Sequence, residues 1–173
     1  MCSSDLIELD INEDNAYAFS KRLIQDSIRP KDYGKFLTLR IFGCFGSGEP
    51  QHRLLKRYMN TASTFEIENN RLFDYFSVQD FYNVLRYVVN CVKDGRSLEV
   101  THNNTIDCVY KQKITLDRFL ELYCDINNYE KRYVVKSTTN NHYTGDSKYL
   151  DHLQENGDLT LYGLAHGLKV YNE

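Results

Sequence analysis

The sequence lacks several features that would place it in a specialised class of protein. It has no apolar run long enough to span a bilayer, and its first residues form neither a basic stretch nor an apolar one of signal-peptide type. It also lacks a basic excess, because its formal net charge is -3 at pH 7. Binding to a phosphate backbone needs a basic surface, so nucleic acid is not expected as a partner. We therefore expect a cytoplasmic protein that does not enter a membrane.

Cysteine pairs with the spacing of a zinc site are missing as well. The five cysteines include no Cys-x-x-Cys pair, which predicts reduced thiols, and the five histidines show no metal-ligand spacing. No metal site is predicted. What the chain does have is 42% hydrophobic and 26% charged residues among 173, the balance of one soluble globular domain that can bury its own core.

Helix-like and strand-like patterns alternate along the chain. Helical spacing of apolar residues predicts helices over 15–27, 52–61 and 79–92, from Thr115 onward, and near Ser147 and Leu161. Large apolar and β-branched residues predict strands over 35–42, 64–68, 71–78, 98–101 and 132–136. The Thr115 hydroxyl is expected to cap its helix. A Gly-rich loop follows over 43–50, and a break near its end, at 48–50, is the best boundary between a segment 1–48 and a lobe 49–173.

Tyr17 and Lys21 lie four residues apart on the first predicted helix, so their side chains would share one face. A free tyrosine has a pKa of about 10 and must lose about three units to transfer protons near neutral pH. An ammonium about 4 Å away supplies about 4 kcal/mol at the effective dielectric of a partly closed cleft, which is enough. With 14 tyrosines present, about one such pair arises by chance, so a solvated lysine beside a tyrosine is the alternative.

Several segments, taken in order, resemble one family. Residues 14–21 resemble the active-site helix of the extended short-chain dehydrogenases/reductases, 39–46 resemble its following strand and cofactor-contacting loop, and 73–80 resemble its substrate-lobe motif. Residues 143–148 and 161–168 resemble its closing segments. These enzymes are NAD(P)-dependent epimerases, dehydratases and reductases of nucleotide-activated sugars. The resemblance implies an α/β fold made of the C-terminal part of a Rossmann-like parallel sheet and a small α/β substrate-binding lobe.

The resemblance also implies roles for individual residues. Tyr17 would exchange a proton with a sugar hydroxyl while hydride passes to or from NAD or NADP. Lys21 would hold the cofactor ribose and lower the pKa of Tyr17, and Ser4 would hydrogen-bond the reacting oxygen. Phe42 and Gly43 would contact the cofactor beside Tyr17 and Lys21.

The chain departs from the family pattern at two places. The Gly-rich turn that binds the cofactor pyrophosphate would precede Tyr17, and Gly43, Gly46 and Gly48 form G-x-x-G-x-G instead of G-x-G-x-x-G. No residue before Met1 carries that turn, so we expect the isolated chain to be inactive and its strand 35–42 to form an unpaired sheet edge.

The second departure concerns the substrate diphosphate. Relatives often have Arg-Asp before an aromatic residue, whereas this chain has Phe73 before Asp74. Arg71, two positions earlier on the same strand face, or Arg53 would bind the phosphates instead, and Asp74 is included in the substrate site. The alternative is that both arginines are surface charges and that Asp74 is a cap or turn residue.

Two functions follow from these patterns. The first is a nucleotide-sugar epimerase/dehydratase or reductase, present as a fragment that would pair with an upstream cofactor-binding half or form a homodimer. The second is a non-catalytic remnant or binding lobe that holds a nucleotide sugar or a partner chain. An unrelated α/β interaction domain with a fortuitous Tyr-Lys pair is a third.

Overall fold

The computed structural model describes residues 36–98 and 104–172, together with residues 2–3, 19–20, 23–24 and 27. The strands are β1 (Cys2–Ser3), β2 (Thr38–Ile41), β3 (Gly43–Phe45), β4 (Phe65–Ile67), β5 (Leu72–Phe73), β6 (Tyr75–Ser77), β7 (Thr105–Cys108), β8 (Ile114–Thr115) and β9 (Tyr133–Val135). The helices are α1 (Leu54–Asn60), α2 (Val78–Lys93), α3 (Leu116–Asn127), α4 (Lys148–Glu155) and α5 (Leu164–Lys169). Among these helices, none has the length and apolar character that crossing a membrane requires.

The main sheet has three parallel strands in the order β1-β2-β7, with Leu39 of β2 opposite Cys2 on one side and Ile106 on the other. The expectation that the strand before Phe42 forms an unpaired edge is therefore wrong, because β2 is the central strand. Smaller pairs stand beside this sheet: β3 with β6 and β4 with β9 are parallel, and β5 with β8 is antiparallel.

Two hydrophobic cores follow from this arrangement. In the first, Leu39 and Ile106 of the sheet pack with Val84 of α2 and with Leu150 and Leu153 of α4. The second lies between α1, α3 and α5, and its largest buried side chains are Phe45, Phe119, Tyr123 and Tyr171. A parallel sheet with a separate small lobe is the α/β fold that the sequence predicted, and that prediction is confirmed.

Most predicted elements are present, with bounds that differ by a few residues. Three predicted segments differ in the kind or number of elements that they form. The predicted strand 71–78 is divided at Asp74 into β5 and β6, and the predicted loop 43–50 begins with strand β3. Leu98 is not in a strand and 99–101 lie outside the described residues, whereas β7 was not predicted. Five residues of the first predicted helix are described: Phe19, Ser20, Leu23 and Ile24 are helical, and Ser27 lies in a turn.

The N-terminus of α3 is capped from a distant segment. The Thr115 hydroxyl makes no capping bond to the backbone, contrary to the prediction, and donates instead to the Asp117 carboxylate at 2.5 Å. The Asp117 N–H donates to the Asn70 side-chain oxygen at 3.2 Å. Asn70 therefore satisfies a free N–H of the first turn, as a local cap would.

Candidate functional site

The predicted site residues fall into two groups. Tyr17, Lys21 and Ser4 lie outside the described residues, so their catalytic roles stay predictions. The other five, Phe42, Gly43, Arg53, Arg71 and Asp74, are described, and all lie in or beside strands β2, β3, β5 and β6 and helix α1.

Phe42 and Gly43 connect the end of β2 to the start of β3. Phe42 is buried, and its ring meets the Tyr143 ring edge-on with the centroids 5.5 Å apart. A Cβ added to Gly43 would lie 2.3 Å from Cε1 of Phe73 and 3.1 Å from the Asp74 carbonyl oxygen. Protein atoms therefore fill the space beside the Cα of Gly43, and its contact with a cofactor stays a prediction.

The glycines of 43–48 do not build a cradle for a dinucleotide. Gly43 belongs to a strand paired with β6, and Gly46 and Gly48 lie in or beside a turn that is followed by Pro50. The next helix, α1, begins only at Leu54. A pyrophosphate cradle needs a tight glycine turn directly between a strand and a helix N-terminus. The described residues therefore do not fit the cofactor pyrophosphate.

A row of aromatic rings leads from the end of β2 toward α3. After the Phe42–Tyr143 contact, Tyr143 stacks on Phe73 at 4.9 Å between centroids, and Phe73 lies 4.8 Å from Tyr75. Tyr75 in turn stacks on Phe119 at 3.7 Å with an interplanar angle of 8°. The rings pack edge-on or face-on against one another, so they form a continuous apolar row whose members partly cover one another's faces.

A cavity of about 260 Å³ opens beside this row, between β3, the start of α1, β5–β6 and α3. Arg53 and Arg71 both line it, with Phe73, Tyr75 and Phe119. The Arg71 guanidinium carbon lies 5.7 Å from the Phe73 ring centroid and 5.8 Å from that of Tyr143. In the described part of the chain, neither arginine forms a salt bridge with a carboxylate. The cavity therefore combines an aromatic surface with two cations.

Glu49 is the acidic residue of this cavity. Burial raises the pKa of the Glu49 carboxyl, against the lowering effect of the Tyr171 hydroxyl, which donates to Oε1 at 2.8 Å, and of nearby Arg53. Burial and the bond to Glu49 in turn raise the pKa of Tyr171. Glu49 already accepts a hydrogen bond within the protein and forms part of the cavity wall.

Asp74 does not line this cavity. It is 2% exposed, and its Oδ2 accepts hydrogen bonds from Lys113 Nζ at 2.8 Å and from the Gly145 N–H at 2.7 Å. Burial raises the pKa of Asp74, and the hydrogen bond from Lys113 opposes that rise. The contacts of Asp74 hold the segment around Gly145 in place, and its role toward a substrate stays a prediction.

Sequence reasoning missed a second ion pair beside Asp74. Arg40 of β2 binds both carboxylate oxygens of Asp107 on β7, at 2.5 and 2.8 Å, and Asp107 also accepts the Asp146 N–H at 2.9 Å. Arg40 and Asp107 are 67 residues apart. No local sequence motif predicts an ion pair between residues so far apart in the chain. The pair follows only from the pairing of β2 with β7.

Comparison with known proteins places this arrangement in a structural class. No model of a known protein family matches the sequence, and no curated protein matches it. Solved structures do match over nearly the whole chain. A dTDP-glucose 4,6-dehydratase from Bacillus anthracis in complex with NAD has a TM-score of 0.68 and 14% identity, covering 98% of this chain and 58% of its own.

Two further solved structures also match the chain over nearly its whole length. A UDP-N-acetylglucosamine 4-epimerase from Methanobrevibacter ruminantium in complex with UDP-N-acetylmuramic acid has a TM-score of 0.64 and 15% identity, covering 99% of this chain and 60% of its own. RMD from Pseudomonas aeruginosa, complexed with NADPH, has a TM-score of 0.65 and 16% identity, covering 98% of this chain and 63% of its own.

The chain thus has the α/β fold of NAD(P)-dependent epimerases and dehydratases of nucleotide sugars. It spans 58% to 63% of the length of those three structures, which is consistent with the C-terminal half that the motifs of the sequence predicted.

Proposed function

We propose that the chain binds a nucleotide sugar and forms the substrate-binding portion of an NAD(P)-dependent epimerase, dehydratase or reductase. The observation that carries the proposal is the pair Arg53 and Arg71 on the aromatic cavity. A diphosphate presents two neighbouring anionic groups, and a guanidinium binds such oxygens in a bidentate manner. A nucleobase has a flat apolar face that stacks on aromatic rings.

The size of the cavity limits which part of the ligand it holds. Small-molecule sites usually measure about 300–1,000 Å³, so a cavity of about 260 Å³ suits one portion of a nucleotide sugar. We assign to it the nucleoside diphosphate. The sugar would then extend along the aromatic row toward Phe42 at the carboxyl end of β2, where ligands bind in parallel α/β sheets.

The catalytic part of the proposal rests on the sequence. Tyr17 would transfer the proton, Lys21 would lower its pKa and hold the cofactor ribose, and Ser4 would bind the reacting oxygen. NAD or NADP is proposed as cofactor because the matched structures contain NAD or NADPH. When bound, the cofactor supplies the hydride acceptor or donor. A cofactor-binding half or a second copy is proposed as the partner.

A non-catalytic binding lobe is the second candidate. It is favoured by one observation, that the described residues contain no cradle for the cofactor pyrophosphate. Both candidates require the nucleotide to bind at Arg53 and Arg71, and they differ in whether turnover appears once a cofactor-binding half is supplied.

Calorimetric titration of the full chain with UDP, dTDP and UDP-glucuronic acid tests the shared requirement. We expect Arg53→Ala and Arg71→Ala each to weaken binding about tenfold or more, because a hydrogen bond to a charged group contributes about 1.5–3 kcal/mol. Arg96→Ala is the control, since Arg96 is exposed and lines a different cavity. Equal affinities for the arginine variants and the control would refute the assignment. Measuring NAD(H)-dependent turnover after a cofactor-binding half has been added separates the enzyme from the binding lobe, because only the enzyme gains activity.

A further inference from the structure

Helix α2 carries apolar residues on its inner face and on the face next to it. On the inner face, Val84 and Cys91 are each 1% exposed and belong to the core or contact it. On the neighbouring, outer face, Val78, Tyr82, Val89 and Val92 are 52%, 61%, 48% and 69% exposed, and half-buried Leu85, which also packs against the core, lies among them. We call these five outer residues the α2 seam. A surface helix normally has one apolar stripe that faces the core, so an apolar stripe that continues onto exposed positions indicates that another element covers it.

The spacing within the α2 seam specifies what kind of element would fit. Its residues follow one another at intervals of four, three, four and three, which is the a/d repeat of helices that pack side by side at about 20°. At about 100° per residue all five fall within a stripe about 80° wide. From Val78 to Val92 the stripe runs for about 21 Å at 1.5 Å per residue. This is the length of three turns or more of a partner helix.

The charges beside the α2 seam select the chemistry of that helix. Arg86 and Lys93 lie along one border, and in the described part of the chain neither forms a salt bridge. The Arg86 guanidinium lies 6.0 Å from the Tyr82 ring centroid, directly beside the stripe. The other border, formed by Phe81 and Val88, is half-buried and apolar. A helix seated here would meet cations along one edge only.

A second copy of α2 does not fit this charge pattern. An antiparallel pair with its twofold axis near Leu85 would bring the two Arg86 side chains together, and like charges at close range oppose association. In a parallel pair each Arg86 and Lys93 would face the apolar border of the partner, where no carboxylate stands. An acidic edge on a different helix matches both cations.

We propose that the α2 seam docks an amphipathic helix of a partner protein, with apolar residues at heptad spacing and carboxylates on the edge that faces Arg86 and Lys93. This surface lies on the outer side of α2, and none of its five residues lines the arginine cavity. Docking there leaves the proposed nucleotide site open.

The experiment measures binding of two synthetic 21-residue helical peptides to the full chain by fluorescence anisotropy. Both peptides carry leucine at heptad positions, and their flanking residues are all glutamate in one and all lysine in the other. We expect the acidic peptide to bind at least fivefold more tightly, since exposed ion pairs contribute modestly. The double variant Arg86→Glu/Lys93→Glu should reverse that order. Val89→Ser should weaken binding about tenfold, because an apolar contact is lost, and Asn90→Ser, one position away and off the stripe, should preserve it.

Three results would overturn the proposal. The first is equal affinity for both peptides, or no binding of either. The second is self-association of the unmodified chain in sedimentation velocity that Val89→Ser removes and Asn90→Ser does not, which would make a second copy the occupant. The third is a melting temperature for Val89→Ser more than about 4 °C below that of Asn90→Ser, which would mean that the chain covers the stripe itself.

Discussion

At the residue scale, the contact between Gly43 and Phe73 explains how the cavity is arranged. The Phe73 ring fills the space beside Gly43 and stacks on Tyr143, so a guanidinium at position 73 would enter an apolar row. Arg71, two positions earlier, places its charge over the same rings and lines the cavity. A phenylalanine at position 73 is therefore compatible with a cation at the cavity, because the cation comes from a neighbouring position.

Replacing Gly43 with alanine tests this packing. The new methyl group would lie 2.3 Å from the Phe73 ring, so we expect a loss of about 1–3 kcal/mol in the free energy of unfolding. In a Phe73→Leu background the smaller side chain leaves room, and the cost of Gly43→Ala should fall by at least half. Urea denaturation of the four chains measures both values. An unchanged cost in the Phe73→Leu background would show that the strain lies elsewhere.

At the element scale, α3 is held at both of its ends by side chains and backbone outside it. Its C-terminus ends on Asn128 in the left-handed region, at φ 55 and ψ 38, a conformation that asparagine adopts more readily than most residues. At its N-terminus, Asn70 and Thr115 surround Asp117, whose carboxylate also accepts the Arg118 N–H at 2.8 Å. Although burial alone would raise it, these hydrogen bonds lower the pKa of Asp117.

The stabilising effect of Asp117 should depend on pH. Its pKa is lower in the folded chain than in the unfolded one, so its contribution is present above the unfolded pKa of about 3.9 and is lost as pH falls through the folded value. Asp117→Asn should cost about 0.5–1 kcal/mol at pH 7, and this difference should shrink as the pH falls below the unfolded pKa. Urea denaturation at several pH values measures it. Asp94→Asn, at an exposed carboxyl, is the control, and a pH-independent difference for Asp117→Asn would contradict the prediction.

At the scale of the whole molecule, one buried carboxylate joins three distant segments. Asp80 of α2 is 0% exposed, and it accepts hydrogen bonds from the Tyr110 hydroxyl at 2.6 Å, the Tyr162 N–H at 2.8 Å and the Gly163 N–H at 3.0 Å. These bonds connect α2 to the segment after β7 and to the segment before α5. Burial and the nearby Asp80 raise the pKa of Tyr110, which keeps its hydroxyl protonated as a donor.

Removing this carboxylate should destabilise the whole chain cooperatively. Asp80→Ala leaves buried donors unsatisfied, so we expect a loss of about 3 kcal/mol or more, whereas Tyr110→Phe removes one hydrogen bond and should cost about 1 kcal/mol. Thermal unfolding followed by circular dichroism measures the two variants side by side. If the Asp80→Ala variant had a melting temperature no lower than that of Tyr110→Phe, the Asp80 carboxylate would not hold the three segments together.

The sequence predicted most helices and strands because their signals are local. The apolar residues of α2 and α3 recur at helical spacing, and β4 and β9 follow short β-favouring runs, so consecutive residues were sufficient. β7 was missed since the polar segment before it obscures where a strand begins. For the site, Arg71 was named from its position two residues before Phe73, and Arg53 from its place at the start of the helix after Pro50. Lys113 and Arg40 were not named, because their partners are 39 and 67 residues away.

By itself, the sequence determined the α/β class, the positions of most elements and the motifs that pointed to the nucleotide-sugar enzymes, because periodicity and motif spacing are properties of neighbouring residues. The tertiary structure alone decided that β2 lies between β1 and β7, that Asn70 caps α3, and that Arg53 and Arg71 share one cavity. It also decided that the α2 seam faces outward. Each of these depends on contacts between residues far apart in the chain, whose geometry exists only once the sheet and the two cores have formed.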